Sequence, residues 1–180
     1  MSHAVEPMLL DLIRYFVQRT GGYLTKIQLV KFIYLADLYA VKWTGKQITK
    51  LEWIFYHHGP WSQDIQAAID ELEGAEIETT VHFSKKYGKD AFLLGVGPSA
   101  APPEHLDIGL ELMLENIRRE WAGFDEDKID QLLKYVYEET QPMRVAREGH
   151  TPADRARLNL MLEHEAIIKE LGLNQSAIQQ

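Results

Sequence analysis

The chain has 180 residues, 46% of them apolar and 26% charged, with a formal net charge of −8 and no cysteine. That length fits one domain with its own core, or such a domain with a helical extension; disulfides and thiol catalysis are excluded, and the expected compartment is the cytoplasm. An acidic chain is a poor general ligand for nucleic acid, which needs clustered cations to displace counterions.

Residues 8–19 place Leu9, Leu12, Ile13, Phe16 and Val17 at helical spacing, and Gly21-Gly22 ends the run. The stretch is interrupted by Asp11 and Arg14 and is far too short for a membrane span, so neither a signal peptide nor a transmembrane helix is expected. Thr25 followed by Gln28 reads as a capping box that starts a long helix ending at Trp43. Its apolar residues cover most of its circumference, which predicts a central helix. From Arg14 to Ser62 the chain carries seven basic residues (Arg14, Arg19, Lys26, Lys31, Lys42, Lys46 and Lys50) against Asp37 and Glu52. This basic segment faces solvent, the acidic C-terminal half, or an acidic partner.

Residues 51–56 predict a buried strand that stops at Gly59-Pro60 and feeds directly into a helix. Ser62 is the expected N-cap acceptor, with Asp64 in the favourable first turn and Ile65, Ala68, Ile69 and Leu72 forming one buried face. If the strand persists through His57 and His58, those side chains point to opposite faces and cannot chelate together. From Ile77 the period becomes two: Ile77, Thr79, Val81 and Phe83 share one face, and after a tip at residues 85–90 the segment 91–96 returns as a partner strand. Residues 95–103 hold two Gly and three Pro and read as a linker. Helices are then predicted over 104–121 and 125–140, and a last one from Thr151-Pro152 to Leu171, with Leu158, Met161, Leu162, Ile168 and Leu171 as its apolar stripe.

Three segments carry a family resemblance. Residues 27–37 (Ile-Gln-Leu-Val-Lys-Phe-Ile-Tyr-Leu-Ala-Asp) resemble a helix written around a Lys-Leu-Leu-Tyr core, keeping Lys31 and Tyr34. His58-Gly59-Pro60-Trp61-Ser62 resembles a Gly-Pro-aromatic turn before a helix, and Val136-Tyr137-Glu138-Glu139-Thr140-Gln141-Pro142-Met143 is similar to a Val-Tyr-x-x-Thr-x-Pro-Met segment. Together they resemble the Panacea domain of prokaryotic toxin–antitoxin systems and prophages. The resemblance implies a toxin-neutralising protein, either binding a co-encoded toxin or, as in SocA-like members, acting as an adaptor that delivers it to a protease. Some relatives are stand-alone phage proteins.

Each motif also has a structural explanation. Lys31 and Tyr34 share one side of a helix, where a snorkelling lysine beside a core tyrosine accounts for both. Gly59 and Pro60 suit a short rigid turn. Trp61 either staples inward onto Ile65 or Ala68, or stands outward as a binding anchor. Tyr137, Pro142 and Met143 belong with the structural set.

Catalysis and metal binding find no support. His164-Glu165 lacks the second histidine of a zinc-protease helix, His82, His105 and His150 stand alone, and neither a Gly-x-Ser-x-Gly elbow nor a phosphate-binding Gly-rich loop occurs. The rival reading is a winged-helix DNA binder with a hairpin tipped by Lys85, Lys86 and Lys89, but its recognition helix would offer Asp64, Asp70, Glu71 and Glu73 to the backbone phosphates.

The expected architecture is α+β and mainly helical: a central buried helix, a small antiparallel sheet made of strand 51–56 and the hairpin 77–96, and three further helices. Residues 1–149 form the Panacea-like domain, 150–173 a C-terminal helix packed on that domain or serving a homodimer or partner, and 174–180 a tail. The expected function is non-catalytic recognition of a protein partner, a toxin, with no cofactor and no metal, through Tyr56, His58, Trp61 and Asp64.

Overall fold

A computed structural model describes residues 4–123 and 125–172; the tail expected over 174–180 lies outside them. Helix α1 (Pro7–Thr20) buries Leu9, Leu12, Ile13, Phe16 and Val17 and stops at Gly21, whose φ of 62° is open to glycine without strain. Helix α2 (Lys26–Thr44) starts at the expected capping box, with Gln28 N donating to Thr25 Oγ1 at 3.1 Å and Thr25 N to Gln28 Oε1 at 2.9 Å. Every residue from Gln28 to Leu38 is buried. The other elements are arranged around this helix, and Phe16 meets Phe32 at a ring separation of 5.2 Å where α1 crosses it.

The α+β, mainly helical class expected from the sequence holds, but the strands are partnered differently. Strands β1 (Leu24–Thr25), β5 (Lys89–Val96) and β4 (Ile77–Ser84) form one antiparallel sheet in the order β1-β5-β4. The strand beside the hairpin is thus Leu24–Thr25, not the expected 51–56. Instead β2 (Ile54–Tyr56) folds back on β3 (Gly59–Trp61), so His57 and His58 make the turn and Gly59-Pro60 belongs to the returning strand. Gly59, at φ 102°, lets the chain reverse at once, a conformation that side chains rarely adopt.

The outer edge of β2 is taken by the C-terminal segment. Phe55 N donates to Ala156 O at 2.7 Å and Leu158 N to Trp53 O at 2.8 Å. This corrects the helix expected from Thr151. A single 3-10 turn (Pro152–Asp154) ends at Arg155 with φ 48°, the chain runs extended along β2, and helix α7 (Met161–Glu170) begins only afterwards. Pairing the edge amides of β2 outweighs the helix-start signal. Helix α7 lies against α2, with His164 Nδ1 2.9 Å from Lys42 O.

Other boundaries move for equally local reasons. Helix α3 (Gln63–Leu72) buries Ile65, Ala68, Ile69 and Leu72 as expected, but the buried Ser62 makes no side-chain cap. Helix α4 (Ile108–Trp121) starts at Asp107, later than residue 104, because the amides of Glu104 and His105 are drawn to the buried Asp11 carboxylate at 3.2 and 2.9 Å. The helix expected over 125–140 is α5 (Glu126–Lys134) followed by a wide π turn (Tyr135–Glu139); Thr140 is extended and a further helix, α6 (Gln141–Gly149), follows. In the long hairpin Ile77 is buried, whereas Val81 and Phe83 are 61% and 57% exposed because the distal half outruns the core.

Asp37 on α2 fastens the loop after that helix. Its buried carboxylate accepts from Ile48 N (3.0 Å), Thr49 N (2.9 Å), Thr49 Oγ1 (2.6 Å), Trp53 Nε1 (2.9 Å) and Gln47 Nε2 (3.1 Å). Burial pushes its pKa up, and the donors, led by Thr49, pull it back. An amide at this position cannot accept from all five, and its own N–H bonds would oppose those of Trp53 or Gln47. Asp37→Asn is therefore expected to cost about 3 kcal/mol, read as a lowered urea midpoint with an unchanged m-value.

Candidate functional site

The three motif segments meet at one point. Lys31, on the second turn of α2, is 3% exposed and donates from Nζ to Pro60 O at 2.8 Å, joining the first segment to β3. Tyr34, one turn further, bonds Thr140 Oγ1 through its hydroxyl at 3.1 Å, joining the first to the third. A Cβ added to Gly59 would stand 3.6 Å from Tyr137 Cδ2, 3.7 Å from Lys31 Nζ and 4.0 Å from Met143 Cε, so the second and third segments touch as well. Pro142 sits in the first turn of α6, where a missing N–H costs no helical bond, and Met143 is fully buried.

Lys31 does not snorkel. The side chain is almost wholly withdrawn from solvent, and desolvation lowers its pKa from the ordinary 10.5 to about 7. The Tyr34 hydroxyl is likewise pushed up by burial. The Tyr137 ring is held between Phe55, at 6.0 Å, and the Arg147 guanidinium, at 4.4 Å.

Above this junction lies a cleft of about 300 Å³ between the start of α2 and the His57-His58 turn. Tyr56, His57, His58, Gly59 and Trp61 form one wall, and Lys26, Ile27, Val30 and Lys31 the other. Of the expected contact residues, Tyr56, His58 and Trp61 are brought together here. Asp64 is exposed in the first turn of α3 and does not line the cleft. Trp61 is half-buried, with Lys26 Nζ 5.9 Å above its ring, and Arg155 stands 5.2 Å over Tyr56. Burial pushes the His58 pKa down, and the charges of Lys89, Lys31 and His57 push it further.

Residues 29–147 match the family described as antitoxin SocA-like, Panacea domain. The chain belongs to this family. No curated protein and no solved structure matches it. The matched span holds the second and third motif segments and all but the first two residues of the first, so the junction of Lys31, Gly59-Pro60 and Tyr137–Met143 lies inside the Panacea domain itself. Among the described residues no helix is long and apolar enough to cross a membrane, and no three or more His, Asp or Glu side chains gather as a metal site.

Sequence reasoning missed several residues of this site in the Panacea domain. Ile27 and Val30 belong to the first motif segment and Lys26 to the basic stretch, but nothing in the sequence marks them as lining a cleft with Trp61. His57 lies just past the expected strand 51–56, and the hairpin turn that brings it to the cleft has no marker in the sequence beyond Gly59.

Lys31 also makes a testable contribution to stability. Between about pH 7 and 10.5 the unfolded chain holds this proton and the folded one releases it, so folding stability rises with pH across that window and the full desolvation cost applies below it. Lys31→Met removes the slope. Its stability relative to the native chain should be highest near about pH 6 and fall by about 1.4 kcal/mol per pH unit on the way to about pH 10. Urea unfolding over that range checks this; parallel profiles would show that the ammonium is not sequestered.

Proposed function

We propose that this protein is an antitoxin that acts by binding a partner protein, a toxin, through the cleft at the His57-His58 turn, without catalysing a reaction. Neutralisation follows either from occluding the toxin or from presenting it to a protease. The observation that carries the reading is the junction itself: three motif segments, joined by residues inside the family-matched span, lock the floor and wall of one open, aromatic-rimmed cleft. A surface fixed in this way binds without reorganising, and half-buried aromatic residues beside a pocket have the character of binding anchors.

The chemistry of the surroundings favours a protein ligand over DNA. Helix α3 presents Asp64, Asp70, Glu71 and Glu73 to solvent, and of the hairpin-tip lysines Lys86 is already paired with Asp130 at 2.6 Å and Asp127 at 3.2 Å. Residues 1–149 act as the binding domain in this reading, and the chain works in the cytoplasm.

Co-purification from the native host should yield a stoichiometric partner that is toxic when expressed alone and harmless when the two are expressed together. Trp61→Ala is expected to weaken that complex by about 30-fold or more and to abolish rescue, while the urea midpoint of the free protein stays close to that of the native chain. Undiminished affinity in a folded Trp61→Ala protein would remove the cleft as the contact surface.

A further inference from the structure

The cleft has an electrostatic character opposite to that of the chain that carries it. The molecule has a formal net charge of −8, yet the charged and titratable residues lining this cleft are Lys26, Lys31, His57, His58 and Tyr56, with no carboxylate among them. Lys89 acts on His58 from β5, and Arg155 covers the outer face of Tyr56. Asp90 lines the neighbouring depression, and its position there leaves the cleft without an internal counter-ion. At the floor, the Lys31 ammonium has three N–H donors and one protein acceptor, Pro60 O at 2.8 Å, and among the described residues no carboxylate lies within ion-pair distance of it.

A buried cation with open donors and no anion is costly; the cost is relieved either by release of the proton or by a carboxylate supplied from outside, and only the second keeps the charge in place. The remaining walls are apolar or aromatic: Ile27, Val30 and Trp61. We infer that the cleft receives an acidic side chain of the partner protein, flanked by an apolar one, with the carboxylate bonding the Lys31 ammonium and the apolar group lying against Trp61 and Ile27. A space of about 300 Å³ suits one such pair of side chains and no large ligand. The inference deepens the protein-binding reading and rests on it. It also gives Lys31 a role that a core-filling residue would not have: the incoming carboxylate stabilises the protonated amine, so binding draws a proton onto Lys31.

The probes are three N-acetylated dipeptides: Phe-Glu amide, Phe-Gln amide, and Phe-Gln with a free C-terminal carboxylate. Side-chain NMR of lysine-labelled full-length protein, with the Lys31 signal assigned from Lys31→Met, reads their binding. The Phe-Glu amide is expected to perturb Lys31, to raise its titration midpoint by about one pH unit, and to bind about tenfold more tightly than the Phe-Gln amide. In Lys31→Met that preference is lost. Equal binding of the two amides, or binding without a change at Lys31, overturns the inference, and a preference confined to the free-terminus peptide overturns the assignment to a side chain. The two readings fail separately: a partner that needs Trp61 while Lys31→Met binds it unchanged ends the carboxylate role alone. Selective dipeptide binding without any protein partner ends the antitoxin reading and leaves the anion site.

Discussion

From Gln28 to Leu38 helix α2 is withdrawn from water around its whole circumference, so each polar side chain in that stretch must find its partner inside the protein. Four such residues, Gln28, Lys31, Tyr34 and Asp37, recur at every third position, and each reaches a different segment. Gln28 donates to Gly123 O at 3.1 Å, Lys31 to Pro60 O, Tyr34 meets Thr140, and Asp37 gathers the loop from Gln47 to Trp53. A step of three residues turns back by about 60° on an α-helix, so these groups wind slowly around the rod instead of lining one face. That is why a single helix can fasten elements lying on several sides of it. The apolar neighbours supply the driving force for burial, and the polar spiral decides which segments lie where.

This arrangement explains what could be read from the sequence. Local signals were sufficient for α1, for the capping box of α2 and for the buried face of α3, because each depends on residues within one or two turns. Signals failed where a distant group competes for the same backbone. Asp11 claims the amides before α4, β2 claims the chain after Arg155, and β3 replaces the hairpin as the partner of β2. Asp37 gave no sign of its role, since an acid in a lysine-rich stretch reads as surface charge and its donors come from residues ten and more positions on. The site was legible only in part for the same reason. Tyr56, His58 and Trp61 sit beside a turn that resembles a family motif, whereas Lys26 and Ile27 become cleft residues only once the chain has folded back over them.

The cleft and the junction beneath it are one unit. Lys31 is both the fastener that holds β3 and part of the lining of the opening. Gly59 makes this possible through its φ of 102°, a backbone conformation that side chains rarely adopt, which brings the returning strand over the ammonium. In the proposed reading, a basic hollow on an acidic molecule also acts at long range, because the surrounding negative field turns away partners that lack the complementary charge pattern.

The wide turn at Tyr135–Glu139 makes the spacing of the third motif as restrictive as its composition. Its wider winding carries the chain from α5 into α6 in the register that sets the Thr140 hydroxyl against Tyr34 and buries Met143. The number of residues in that segment thus measures out where α6 sets down, alongside the side chains that hold it.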